Sequence, residues 1–188
     1  MRKFFLFIWE IVKVVSISLA IILPVRYYLI QPFYVKGASM EPNFHDHEYL
    51  IIDEISYRFK APERGQVVVF RYPKNPQEYF IKRIIGLPGE EVQIKDGVVI
   101  IYNDLYPEGK SLSEDYLPLG VETYDSSEIK ISIGENQYFV LGDNRYASKD
   151  SRSFGPVDKA FITGKVLFRG WPFNRITVFN KNYWPIYQ

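Results

Sequence analysis

Tyr79-Phe80-Ile81-Lys82-Arg83-Ile84-Ile85-Gly86 sets two adjacent cations inside an otherwise apolar run. Its aromatic and β-branched residues favour a pleated, half-buried backbone. Successive side chains of a strand alternate, so Phe80, Lys82 and Ile84 share one face and Ile81, Arg83 and Ile85 the other. One of the two cations then points toward an apolar or shielded surface, unless this is an edge strand from which both snorkel into water. Burial disfavours an ammonium ion. A shielded Lys82 is therefore driven toward its neutral amine, which can take a proton from a hydroxyl group.

Similar short runs surround this one: Tyr49-Leu50-Ile51-Ile52, Gln66-Val67-Val68-Val69-Phe70, Val98-Val99-Ile100-Ile101, Gln137-Tyr138-Phe139-Val140-Leu141 and Lys165-Val166-Leu167-Phe168. Turn signals separate them at Arg64-Gly65, Tyr72-Pro73, Leu87-Pro88-Gly89, Asp96-Gly97 and Ile133-Gly134. Asp96-Gly97, between Val92-Gln93-Ile94 and Val98-Val99, predicts a two-residue hairpin. No long amphipathic helix follows residue 35. Asp104 to Glu128 reads as an acidic, solvated loop, with Glu108, Glu114, Asp115, Glu122 and Asp125 against Lys110. The expected body is mainly β.

The N-terminus differs. Val14 to Val25 carries no charge, and Ile11 to Ile30 supplies the roughly 20 apolar residues that a membrane-spanning helix needs. Lys13 and Arg26 sit near its ends, and Trp9, Tyr27 and Tyr28 suit the interfaces. Pro24 predicts a kink, and the Gln31-Pro32 step predicts the end of the helix. A cleavable leader is the alternative, because Ser18-Leu19-Ala20 follows Arg2 and Lys3. The apolar run continues beyond Ala20, however, which places the supposed cleavage point inside it. Two segments are expected: an N-terminal tip and transmembrane anchor over 1–31, and a β-rich domain over 32–188. Arg2, Lys3 and Lys13 before the centre, against Arg26 and Lys36 after it, favour an N-terminus on the inside.

Composition narrows the function classes. The chain has 188 residues, 47% of them hydrophobic, enough for a real core. With 23 Lys+Arg against 22 Asp+Glu its net charge is +1, so nucleic acid is not expected as a partner. It contains 0 cysteines, so covalent chemistry must use oxygen or nitrogen. Tyr, Phe and Trp together make up 17%, a bias toward strands and membrane interfaces.

Candidate chemistry gathers in two further stretches. Gly37-Ala38-Ser39-Met40-Glu41-Pro42 follows the apolar segment, and its small residues leave the Ser39 hydroxyl uncovered while allowing another backbone to approach. The alternative is a tight turn whose serine only hydrogen-bonds the backbone. Leu141-Gly142-Asp143-Asn144-Arg145-Tyr146-Ala147-Ser148-Lys149-Asp150-Ser151-Arg152 is unusually polar for a segment that follows a hydrophobic strand. Asp143, Asp150, Arg145 and Arg152 can stiffen it by charge-assisted hydrogen bonds, and Ser148 can orient a lysine amine. Arg145, Lys149 and Arg152 interrupt any calcium-loop pattern. His45 and His47 lack a third ligand and read as loop residues. No metal and no cofactor is expected.

Taken in order, an apolar anchor, Ser-Met-x-Pro, Lys-Arg leading to Gly-Leu-Pro-Gly-Glu, then Gly-Asp-Asn-Arg with Ser, Asp, Ser and Arg following, the sequence resembles the bacterial type I signal peptidases. The likeness extends from the anchor to Trp171-Pro172-Phe173-Asn174-Arg175. It implies an antiparallel β-sheet catalytic domain, with Ser39 as nucleophile and Lys82 as general base. Ser148 matches the residue that positions the lysine, and Asp150 and Arg152 match the supporting ion pair. Phe33, Val35 and Ile81 would line shallow pockets, with Phe80 and Met40 nearby. Gly37 stands where some members carry a serine that assists the oxyanion, which leaves that task mainly to the Ser39 backbone N–H. Asn43-Phe44 replaces the usual Thr-Leu, and Gln66 a frequent Asp.

The resemblance further implies secretory preproteins as substrates, bound as extended strands with small residues at the −3 and −1 positions. It places the enzyme as a single-pass protein of the cell membrane, with a cytoplasmic N-terminus and an extracytoplasmic catalytic domain. The self-cleaving repressors, which share a related β fold, carry a DNA-binding domain in place of an anchor. A rival of another class is a membrane-tethered β module that binds extended peptides without cutting them. The oligomeric state is not encoded in these motifs.

Overall fold

Runs of consecutive apolar residues give Val67–Tyr72 and Gln137–Leu141 two buried faces, whereas Tyr49–Asp53, Glu91–Lys95 and Val98–Asn103 bury every second residue. The computed structural model describes residues 2–28, 30–125 and 128–179. Its elements in chain order are α1 (Arg2–Tyr28), β1 (Ile30–Tyr34), β2 (Tyr49–Asp53), α2 (Ser56–Phe59), β3 (Val67–Tyr72), β4 (Asn75–Gly86), β5 (Glu91–Lys95), β6 (Val98–Asn103), β7 (Tyr106–Ser111), β8 (Ile131–Ser132), β9 (Gln137–Leu141), α3 (Ser151–Phe154), β10 (Val157–Asp158), β11 (Ile162–Trp171) and β12 (Thr177–Val178). An 8-stranded sheet runs β1-β2-β11-β3-β4-β9-β10, with β12 paired to β11, and a 4-stranded sheet runs β7-β6-β5-β8. Every one of these pairings is antiparallel. The fold is mainly β with one long N-terminal helix, as the residue pattern predicts.

Alternation decides where the cores lie. Val67 and Val69 of β3 face a cluster with Val35, Met40, Phe44, Leu50, Ile52, Ile81 and Val166, whereas Val68 and Phe70 face another with Ile84, Tyr138 and Val140. In β9, Phe139 and Leu141 face a third cluster, shared with Ile85 and the small sheet. The predicted hairpin is present, joining β5 to β6 with φ of 50° at Asp96 and 80° at Gly97.

Residues Arg2–Leu23 of α1 form a helix of 22 residues, about 33 Å long, and none of it is buried in the protein. It is long and apolar enough to cross a membrane. The helix ends at Tyr28 and not at Gln31-Pro32, because Ile30 to Tyr34 pairs with Asp53 to Tyr49. Pro32 is tolerated there because β1 is an edge strand, where a missing N–H breaks no inner ladder. The side chains of 24–31, with the expected kink at Pro24 and the interface contacts of Arg26, Tyr27 and Tyr28, lie outside the described residues, as do 180–188.

The acidic stretch from Asp104 departs from the solvated loop that its composition suggests. Tyr106–Ser111 forms β7 on the small sheet, and Leu112 and Tyr116 pack against the third core cluster. Glu114 then reaches Arg145, and Thr123 is buried. The stretch is a strap drawn over the sheet by charges far away in sequence.

Candidate active site

β4 lies between β3 and β9, and its pairing with β9 begins at Arg83, so burial and not sheet order alone shields Lys82. Lys82 is 3% exposed and Arg83 1%. Arg83 is fully engaged: Nε and Nη2 donate to Asp143 at 2.8 and 2.6 Å, Nη1 donates to the Gly65 carbonyl at 2.8 Å, and the guanidinium lies 3.9 Å from the Tyr116 ring centroid. Lys82 has no carboxylate partner among the described residues. Its Nζ lies 2.7 Å from Ser39 Oγ and 2.7 Å from the Ile81 carbonyl oxygen. Burial pushes the Lys82 amine down to about 8, with the charges of Asp150 and Asp143 opposing that shift.

Ser39 is brought to the lysine by the turn that leaves β1. Val35 exchanges backbone hydrogen bonds with Glu48 and His47, and the Ala38 and Met40 carbonyls accept from Glu41 and Phe44. Gly37 has φ +86°, a left-handed conformation that glycine adopts freely, and its N–H donates to Asp46 Oδ1 at 2.9 Å. Space around it is open, so the backbone conformation and not a close approach calls for glycine here. The close approach is at Gly142, where a Cβ would collide with Ser148 and stand 2.5 Å from the Ser39 carbonyl oxygen.

The polar loop after β9 is built by the predicted pairings and by others. Asp150 accepts from Arg152 Nε and Nη2, both at 2.8 Å, and from the Gly142 N–H at 3.0 Å. Asp143, bound to Arg83, also accepts from Asn43 Nδ2 at 2.8 Å. That amide nitrogen lies 2.8 Å from the Tyr116 carbonyl as well, so Asn43 ties the strap to the serine turn. Arg145 donates to Glu114 at 2.7 and 2.5 Å, to Tyr116 Oη at 3.0 Å and to Thr123 Oγ1. Ser148 Oγ is buried beside Gly142 without a hydrogen-bond partner among the described residues. The bond by which it would orient Lys82 is not made in this structure.

A cleft of about 560 Å³ opens above Ser39 and Lys82, lined also by Phe33, Tyr34, Phe80, Ile81 and Lys149. Of the expected substrate contacts, Phe33, Phe80 and Ile81 stand on its wall. Val35 and Met40, each 1% exposed, lie instead in the core beneath it, and Gly37 is exposed outside it. Val35 leaves β1 pointing inward, and Met40, next to Ser39, anchors the turn in the core cluster. His45 and His47 lie in the following loop beside Glu41 and Asp46. No group of three or more metal-ligating side chains occurs among the described residues. Sequence reading missed Asn144, whose backbone and side chain both reach the serine turn, and the strap residues Glu114 and Tyr116. An asparagine in Gly-Asp-Asn-Arg was the only signal for the first.

Comparison with known proteins bears on this arrangement. Residues 8–171 match the family described as signal peptidase, peptidase S26. A probable signal peptidase I-2 of Synechocystis is 37% identical over 172 residues, covering 89% of this chain and 75% of that protein. A signal peptidase IB of Staphylococcus aureus is 35% identical over 175 residues, covering 85% and 87%. The crystal structure of a signal peptidase I from Enterococcus faecalis V583 is 36% identical and aligns with 56% of this chain and 97% of that one, at a TM-score of 0.46. The non-cutting peptide module gives way to an enzyme: with the family match spanning most of α1, the serine turn and both sheets, this chain belongs to the signal peptidase, peptidase S26, family of serine endopeptidases.

Proposed function

We propose that the chain removes signal peptides from secretory preproteins by a Ser-Lys mechanism, with Ser39 as nucleophile and Lys82 as general base. The observation that carries this reading is the 2.7 Å contact between Ser39 Oγ and a buried amine that no carboxylate among the described residues contacts. In its ammonium form Lys82 donates to Ser39. Once neutral, it accepts the hydroxyl proton while the Ile81 carbonyl holds one of its N–H groups. Ser39 Oγ then attacks the scissile carbonyl, the tetrahedral oxyanion collapses to an ester, and the lysinium protonates the departing amine. Water activated by the same amine hydrolyses the ester. Asp150 and Arg152 hold the Gly142 backbone, and Ser148 is assigned to steady the amine as it turns between these steps.

Pairing of the strands supports a substrate bound as an added strand. β9 pairs with β4 only from Arg83 onward, so among the described residues the Tyr79 to Lys82 part of β4 has β3 alone as a partner. β1 is an outer edge of the large sheet, and Phe33 and Tyr34 face the same cleft. An extended peptide between these edges gains backbone hydrogen bonds, and Phe33, Phe80 and Ile81 on the cleft wall are assigned to the pockets for small side chains at −3 and −1.

The exposed apolar helix supports a membrane anchor, with a domain boundary near residue 30 and the catalytic domain on the extracytoplasmic side. Tethering confines enzyme and preprotein to one layer and raises their effective concentration. The test is cleavage, in detergent, of a preprotein carrying Ala-x-Ala before the cut. The parent chain is expected to release the mature protein and Ser39→Ala to release none. Turnover by a folded Ser39→Ala chain overturns the assignment.

A further inference from the structure

Resting on the reading of Ser39 as nucleophile, we propose that Asn144 is a positioning residue for the oxyanion donor, acting through the Ala38–Ser39 peptide. Asn144 grips this peptide unit and the next. Its Nδ2 donates to the Ala38 carbonyl at 3.1 Å, and its backbone N–H donates to the Ser39 carbonyl at 3.1 Å. The Ala38–Ser39 bond is trans, so the Ser39 N–H points opposite to the Ala38 C=O. Holding that carbonyl toward the loop after β9 therefore turns the Ser39 N–H away from it.

Two further observations make this orientation consequential. Among the described residues the Ser39 N–H donates to no acceptor, so it is free for a developing oxyanion beside Oγ. The preceding residue is Gly37 at φ +86° in open space, and Gly37 and Ala38 are exposed. Among the described residues the other donor to the Ala38 carbonyl is the Glu41 N–H, at 3.2 Å. Asn144 itself is fixed at its other side-chain atom, because Oδ1 accepts from the Ala147 N–H at 3.2 Å. The amide thus works as a bracket, with one end anchored in its own turn and the other on the peptide whose direction matters.

Asn144→Asp separates the two ends, since its carboxylate still accepts from Ala147 but cannot donate to Ala38. Asn144→Ser keeps a short acceptor for Ala147 without reaching Ala38, and serves where the aspartate variant does not fold. The full chain in detergent is compared with each variant, above the pH at which Lys82 titrates. The readouts are kcat, KM, and affinity for two peptides: an aldehyde that forms a hemiacetal with Ser39, and a matched peptide with a reduced scissile bond. The expected result is a kcat lower by about 10- to 100-fold, less than the loss of a whole oxyanion donor, with KM changed less than about twofold. Affinity for the aldehyde falls by a similar factor, affinity for the reduced peptide stays, and the acidic limb of the pH profile does not move in Asn144→Ser, which adds no charge near Lys82, whereas the new carboxylate of Asn144→Asp moves it upward. Equal weakening of both peptides, or an unchanged kcat, overturns the positioning role. A parent chain that forms no adduct on Ser39 overturns the nucleophile assignment itself, and this proposal with it.

Discussion

Lys82 and Arg83 are neighbours on one strand and equally inaccessible to water, yet the molecule treats them in opposite ways. On the Arg83 side every direction is filled: a bidentate carboxylate, a carbonyl and an aromatic face. On the Lys82 side the charge has a hydroxyl, a carbonyl and the Phe80 ring at 5.3 Å, and among the described residues no anion in contact. Burying a charge is tolerable when it is paired and costly when it is not. The difference teaches that the unpaired site is the one able to release a proton, because its desolvation lowers the pKa without a partner to restore it. The paired site holds the frame that keeps Asp143, Asn43 and the serine turn in place.

Removing the unpaired cation tests the comparison most severely. Lys82→Met is expected to reduce cleavage by about 10⁴-fold, the upper range for loss of a general base, while leaving a folded protein. It should also raise stability. In the folded chain the lysine titrates near 8 against 10.5 when unfolded, so between these values the unfolded chain holds more protons. Parent stability therefore rises with pH from about 8 to about 10.5, and the full penalty, at most about 3 kcal/mol, is present below 8. Urea titrations at pH 7 and 10 check this. A Lys82→Met chain with the same pH slope as the parent would show that the lysine is not the desolvated group.

Removing the paired cation should do the reverse. Arg83→Met strands the Asp143 carboxylate in a site 2% exposed and is expected to destabilise the fold by about 3–5 kcal/mol. Here stability is the primary readout, with the pH slope assigned to Lys82 retained. A loss below about 1 kcal/mol would mean that Asp143 finds water or another donor, which would weaken the contrast.

The smallest effect sharpens the electrostatic side. Asp150 is the first of the charges that oppose desolvation at Lys82. Replacing it with the isosteric Asn removes that support, so the acidic limb of kcat/KM is expected to move down from about 8 by roughly half a pH unit, with lower maximal turnover from the loosened Arg152 contact. A limb that moves upward would contradict the sign of this coupling.

Much of this architecture was legible locally. Alternating runs marked β2, β3, β4, β6, β9 and β11, Asp96-Gly97 marked a hairpin, and the cations inside an apolar strand marked the site. β1 was hidden because Gln31-Pro32 reads as a helix stop, and only its position at a sheet edge makes the proline acceptable. The strap was misread for a related reason. Glu114 looks solvated among its acidic neighbours, yet its counter-charge Arg145 lies 31 residues away. Val35 was placed on the cleft wall and Met40 near it by resemblance, whereas the turn of the backbone sends both into the core.

The amino-acid sequence by itself determined the elements and the chemistry available to them: an apolar helix, alternating strands, a serine in a small-residue turn and a lysine where a lysine is costly. These follow from periodicity and side-chain type, which act over a few residues. Tertiary structure alone decided which buried cation would be paired, which strand edges would stay open, and that Asn144 would hold the peptide before Ser39. Such outcomes depend on groups brought together across tens of residues, where desolvation and hydrogen bonding are settled by what stands opposite and not by what comes next in the chain.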